Sequence, residues 1–100
     1  MERKVLLICA GGMSTGIRMK KMEKYAEDKG IDLKIDAVGM SAYEDSYKNY
    51  DVILLGPQVS YKKEEIAQVT QMPIAVIAAY DYAIGNVENI MKQVDEIYPQ

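Results

Sequence analysis

Val5-Leu6-Leu7-Ile8-Cys9-Ala10-Gly11-Gly12-Met13-Ser14-Thr15-Gly16 passes from an unbroken apolar run, through a small glycine-rich turn, into a helical pattern. Consecutive strong hydrophobes without polar alternation suit a strand covered on both faces. The glycines stop it. From Met13 to Lys29 the period lengthens, with Met19, Met22 and Ala26 at i, i+3 and i+7. Lys29-Gly30 closes that helix with a cation in its last turn and a glycine for the left-handed position beyond it. A buried strand, a tight loop and a helix make the first half of a βαβ unit.

Working outward, the same alternation recurs to the end of the chain. Ile31, Leu33, Ile35 and Ala37 alternate with Asp32, Lys34 and Asp36, the mark of an edge strand with one charged face. Ser41 to Glu44 has capping-box spacing, which predicts a short helix over Tyr43 to Tyr47. Asp51-Val52-Ile53-Leu54-Leu55 is a second buried strand, ended by Gly56-Pro57. A helix is expected from about Tyr61 to Gln71 with Ile66 and Val69 inward, and a last strand from Ile74 to Ala78. Asn86 is placed to cap a final helix with an apolar stripe of Val87, Ile90, Met91, Val94 and Ile97.

Repeated β-α units imply parallel strands, right-handed crossovers and helices on both faces. The alternating second strand belongs at an edge, and the three apolar strands need more cover. The expected architecture is a single α/β domain over residues 1–100, a four-stranded parallel sheet of order 2-1-3-4, which is flavodoxin-like. Ligands of such sheets sit beyond the carboxyl ends of the strands, where the strand order reverses. That point lies beside the end of the first strand, at Cys9.

Composition narrows the chemistry. The 100 residues hold no histidine and one cysteine, which rules out phosphohistidine, a His-based triad, a CxxC redox pair and a His or multi-thiolate metal site. A net charge of -3 argues against a nucleic-acid binder. Met1 to Lys4 lead into the short run Val5 to Ile8, too short for a secretory h-region or a membrane span, so the chain reads as cytoplasmic.

Cys9 therefore leads the short list of reactive groups. Gly11 and Gly12 carry no Cβ and let backbone N–H groups approach an anion closely. The helix that follows adds amide donors and a positive dipole end, and Ser14 and Thr15 add hydroxyls. Such a setting activates a cysteine sulfur as a nucleophile. Taken alone, a cysteine at a strand end reads as a small buried hydrophobe. Combined with the double glycine, the Ser-Thr pair and the switch point, it reads as the acceptor of a phosphoryl group. Gln58, Tyr80 and Asp81 are expected on the same rim, as contacts for phosphate or partner or as polar strand ends in water. Arg18, Lys20, Lys21 and Lys24 make the first helix locally basic, chiefly as a solvated face.

Cys9 to Thr15, C-A-G-G-M-S-T, resembles the C-x-x-G-M-S-T signature of the enzyme IIB component of the bacterial phosphotransferase system, lactose/cellobiose (chitobiose) type. The likeness extends to V-I-L-L-G-P-Q at Val52 to Gln58 and to the strand containing Pro73 to Ile77. Gly11 and Gly16 stand where alanine and serine are common. The resemblance implies a phosphocarrier in which Cys9 accepts phosphate from a phosphohistidine of enzyme IIA. Cys9 would pass it to a cellobiose-, chitobiose- or lactose-class sugar held by membrane enzyme IIC, at the inner face of the membrane. Ala10, Gly11, Gly12, Met13, Ser14 and Thr15 would bind the phosphate, with no cofactor and no metal.

Two other readings stay open on the residues alone. A small cysteine phosphatase needs C-x5-R, but the sixth residue after Cys9 is Thr15, and Arg18 lies further along the helix. A flavodoxin-like binding module would need aromatic cover over a flavin, for which Tyr80 and Tyr82 are the candidates.

Overall fold

The amino-terminal strand β1, Arg3–Cys9, lies between two parallel neighbours. It pairs on one side with β2, Leu33–Gly39, in a register that sets Arg3 opposite Leu33 and Cys9 opposite Gly39. On the other side it pairs with β3, Val52–Leu55, and β3 pairs with β4, Ile74–Val76. The sheet is four-stranded, parallel and ordered β2-β1-β3-β4, as the sequence predicts. This structure, a computed structural model, describes residues 3–9 and 14–98, and over 14–18 the backbone alone.

Helix α1 covers Ser14–Lys29, and the short α2 covers Tyr43–Ser46. They are followed by α3 over Lys63–Thr70, α4 over Ala79–Ile84 and α5 over Val87–Ile97. Short 3-10 segments fill Tyr47–Asn49 and Pro57–Lys62. The period of two along the strands sorts the core into two layers. Val5, Leu7, Val52 and Leu54 face Met22 of α1 and Ile90, Met91 and Val94 of α5. Leu6, Ile8, Ile53 and Leu55 face Tyr43, Val59 and Ile66 on the opposite side. Both faces are thus covered, which is why β1 and β3 need no polar alternation.

Chain punctuation follows local chemistry. Gly30 has φ +71° at the end of α1, where its N–H reaches Glu27 O and that of Ile31 reaches Ala26 O. These are the paired bonds of a Schellman stop. Asn86 caps α5, its side-chain oxygen accepting from Asn89 N–H at 3.2 Å.

Three expectations change, and one element is added to them. The helix after β2 starts at Tyr43, but its cap position is Ala42 with no side-chain bond, so the Ser41–Glu44 capping box does not form. The expected Tyr61–Gln71 helix begins later, at Lys63, because Tyr61 and Lys62 belong to the 3-10 segment, which closes with Lys63 N–H on Ser60 O. Ile66 is buried as expected, but Val69 is 44% exposed and Thr70 is buried in its place. Thr70 tolerates burial because its hydroxyl donates to Ile66 O at 2.8 Å. The last strand ends at Val76, short of Ala78. Finally, α4 fills the stretch between β4 and the capped helix.

Candidate functional site at the carboxyl rim of the sheet

Cys9 is the last residue of β1, with β2 on one side and β3 on the other. The reversal of strand order therefore falls at this cysteine. Its residue is 5% exposed, and its sulfur lies 3.7 Å from Val38 O, a weak S–H···O contact to the edge strand. A thiolate has no proton to donate, so an ionised Cys9 would give up that contact in favour of other donors.

Backbone amides supply donors at the start of α1. That helix begins at Ser14, and the leading N–H groups of a helix have no partner within it. The residues read from sequence as the phosphate loop divide at this point. Ala10, Gly11, Gly12 and Met13 lie outside the described residues; Ser14 and Thr15 lie in the first turn of α1, described through their backbone alone.

Across the sheet, Gly56 extends the ladder one residue beyond β3, its N–H donating to Ile8 O at 2.9 Å. This brings the β3 turn against Cys9. A Cβ on Gly56 would lie 3.6 Å from Cys9 Cβ and 3.3 Å from Gln58 Oε1. Gln58 is exposed, yet its side chain folds back so that the amide oxygen and Cys9 flank one point in space. The sequence marks Gly56 as a strand terminator. Its place beside Cys9 emerges only from the β1–β3 register.

The other rim residues are arranged differently. Tyr80 is 72% exposed in the first turn of α4, at the carboxyl end of β4. Asp81 serves the α4–α5 junction, since its carboxylate accepts from Asn89 Nδ2 at 3.2 Å and its backbone oxygen from Asn86 N–H. Tyr82 is buried among the β-sheet and α5 residues, which removes it as aromatic cover for a flavin. Lys20, Lys21 and Lys24 are exposed along α1. Among the described residues, no group of three or more His, Cys, Asp or Glu is placed to hold a metal ion.

The phenols with shifted titration belong to the packing. Burial, and then the nearby Glu44 carboxylate, push Tyr43 up. Tyr50 is pushed up to about 12, chiefly because its hydroxyl donates to the Asp36 carboxylate on β2, with burial second. Tyr98 also moves up, through burial first and then its bond to Asp51.

Comparison with known proteins gives this arrangement a lineage. A family model described as "PTS system, Lactose/Cellobiose specific IIB subunit" matches residues 4–93. The oligo-beta-mannoside-specific EIIB component of Bacillus subtilis is 34% identical over 88 residues, covering 83% of this chain and 85% of that one. The solution structure of the cellobiose-specific phosphotransferase IIB component from Borrelia burgdorferi superposes with a TM-score of 0.81 at 30% identity. That match covers 98% of this chain and 93% of the other. A lactose-specific EIICB component of Staphylococcus haemolyticus is 38% identical over 69 residues, which make up 69% of this chain and 12% of that protein. With a family match across nearly the whole sequence and a fold neighbour that superposes end to end, the chain belongs to the lactose/cellobiose-specific IIB family of the sugar phosphotransferase system.

Proposed function

We propose that Cys9 is the phosphoryl carrier of this IIB protein. Its thiolate, having lost its proton to solvent, attacks the phosphorus of a phosphohistidine on the IIA partner. The S–P bond forms as the P–N bond breaks, and the imidazole nitrogen keeps the electron pair. In the second half, a hydroxyl of the sugar held by enzyme IIC attacks the same phosphorus. The O–P bond forms, the hydroxyl proton passes to a base in the IIC site, and the sulfur leaves as thiolate. IIB components are phosphotransferases, and both halves are in-line displacements whose catalysis is positioning plus stabilisation of charge on the equatorial oxygens.

The roles divide along the rim. Backbone amides from Ala10, Gly11, Gly12 and Met13, with the amides and hydroxyls of Ser14 and Thr15, hold the phosphoryl oxygens. Gln58 and Tyr80 contribute from the neighbouring turns. No cofactor or metal takes part. The sugar is of the cellobiose, chitobiose or lactose class, and transfer occurs at the inner face of the membrane, where IIC presents it. The fused EIICB relative, which carries both components in one chain, supports a IIC partner. Among the described residues no helix is long and apolar enough to cross a membrane, which leaves the crossing to that partner.

The observation that carries this reading is the position of the sole cysteine in a member of the IIB family, at the end of β1 where the strand order reverses. Intact-protein mass spectrometry tests it, after incubation with phosphoenolpyruvate, the general phosphotransferase proteins and IIA. One added phosphate is expected on the wild type and none on Cys9→Ser. A Cys9→Ser protein that still gains the phosphate would refute the assignment.

A further inference from the structure

Gly56 is not a glycine for backbone reasons. Its φ of −64° and ψ of 152° are open to any residue. Its position is fixed by the bond from its N–H to Ile8 O and by the bond its own carbonyl accepts from Val59 N–H at 3.1 Å. What distinguishes the position is space. Of the atoms a Cβ would meet, Cys9 Cβ at 3.6 Å and Ile8 O at 3.7 Å are ordinary contacts, but Gln58 Oε1 at 3.3 Å is too close. Since Gln58 is exposed, its amide would yield by a few tenths of an ångström, enough to shift it from its place beside Cys9 at little cost to the fold.

We propose that Gly56 is a positioning residue, whose missing side chain lets the Gln58 carboxamide fold back beside Cys9 and, with the amide turned so that Nε2 stands where Oε1 now lies, donate to an oxygen of the phosphoryl group carried there. The inference rests on the carrier role of Cys9 and assigns the β3 turn a part in it. A carboxamide suits this place because its N–H donors stabilise a phosphoryl oxygen without exchanging a proton with it. It also adds no fixed positive charge that would hold the phosphate back from the next acceptor. The amide approaches from the β3 side of the cysteine, whereas the amides of α1 follow β1 in sequence, so the two sets of donors meet the group from different connections.

Four proteins decide the matter: wild type, Gly56→Ala, Gln58→Ala and the double variant, each mixed with phosphorylated IIA and quenched at intervals to time the labelling of Cys9. Both single variants are expected to accept phosphate about tenfold more slowly, the loss of one exposed donor being smaller than that of a fully enclosed one. The double variant should be no slower than Gln58→Ala, because Gly56 acts through Gln58. Alkylation of Cys9 by iodoacetamide, an uncharged reagent, should proceed at the wild-type rate in Gly56→Ala. Labelling rates equal to wild type in the single variants would overturn the proposal, as would slowing that multiplies in the double variant. So would alkylation slowed in step with labelling, which would mean that the added methyl merely obstructs the sulfur. A wild-type protein that takes up no phosphate at all would instead remove the carrier role itself, and this inference with it.

Discussion

The two ends of the sheet are built on opposite plans. At the amino end, side chains tie the strands to each other and to α5. Tyr98 accepts from Lys4 N–H at the start of β1 and donates to the Asp51 carboxylate just before β3 at 2.5 Å. The Arg3 guanidinium lies 5.4 Å from the centre of the Tyr98 ring and pairs with Asp95 of α5. At the carboxyl end, β1, β2 and β3 give way to Cys9, Gly39 and Gly56, all small, and a Cβ on Gly39 would meet nothing within 4 Å. Side chains interlock at one end, and small residues leave room for the proposed carrier at the other. Substitutions at the rim should cost function and spare the fold, while those at the amino end should do the reverse.

The largest effect expected is at Cys9. Cys9→Ser replaces one sulfur by oxygen, so thermal melting should move by only a few degrees while labelling from phosphorylated IIA falls to background. A melting temperature lowered as far as a core truncation lowers it would blur the division between the ends, because Cys9 would then be structural as well.

Tyr50 tests the amino half through pH. Its phenol is held un-ionised in the folded protein up to about pH 12 by its bond to Asp36, against about 10 in the unfolded chain. A group whose folded pKa is raised contributes fully below the unfolded value and loses that contribution as pH rises toward the folded one. Wild-type stability should therefore be level below about pH 10 with respect to this group, then fall between about pH 10 and 12. In Tyr50→Phe that share of the fall should vanish, and stability at neutral pH should be lower by roughly 1 kcal/mol for the lost hydrogen bond. Denaturant titrations of both proteins across the range would show it, and parallel curves would break the assignment of that bond.

Much of this plan was legible in the sequence, for reasons that can be stated residue by residue. Val5 to Ile8 and Val52 to Leu55 are apolar on both faces because both faces are covered, and only parallel central strands require that. The alternation from Ile31 to Ala37 marks the edge strand, with Asp32 and Lys34 exposed and Asp36 half-buried. Tyr50 lies along it, bonded to Asp36 and beneath Lys34 at 5.8 Å from the ring centre. Periodicity failed where an element was too short or buried a polar residue. Six residues of α4 make less than two turns and show no repeat. From buried Ile66, the apolar pattern points to Val69 three residues on, whereas the helix buries Thr70 four residues on, whose hydroxyl is satisfied by Ile66 O. Of the candidate site, the position of Cys9 follows from strand order alone. The approach of Gln58 does not, because it depends on a side chain folding back across a turn and on the register that sets Gly56 beside β1.

Tyr98 should give the clearest separation of stability from chemistry. Tyr98→Phe keeps the ring against Arg3 but removes the bonds to Lys4 and Asp51. The loss should be about 1–2 kcal/mol, or roughly 5–10 °C of melting temperature in a domain of this size. Labelling of Cys9 at a temperature well below melting should match wild type. A slowed transfer there would show that the two ends communicate through the sheet.

The smallest effect expected comes from the Asn86 cap, a stabilising device on the carboxyl side of the sheet. Helix α5 runs back from the carboxyl side of the sheet, where Asn86 caps it, to the amino side, where Tyr98 follows its last turn. The cap is exposed, so Asn86→Ala should cost only roughly 0.5–1 kcal/mol. Asn86→Ser or Asn86→Asp should recover most of that, since either side chain can accept from the same N–H. Transfer to Cys9 should be untouched in all three, because the cap orders a helix end without touching β1 or the β3 turn. If Asn86→Ala slowed labelling at unchanged stability, the α4–α5 junction, with Asp81 and Tyr80 in it, would have to be counted among the groups that meet the phosphate donor. The division between the two ends would then run through α5, leaving the carboxyl edge of the sheet as one part of a wider surface.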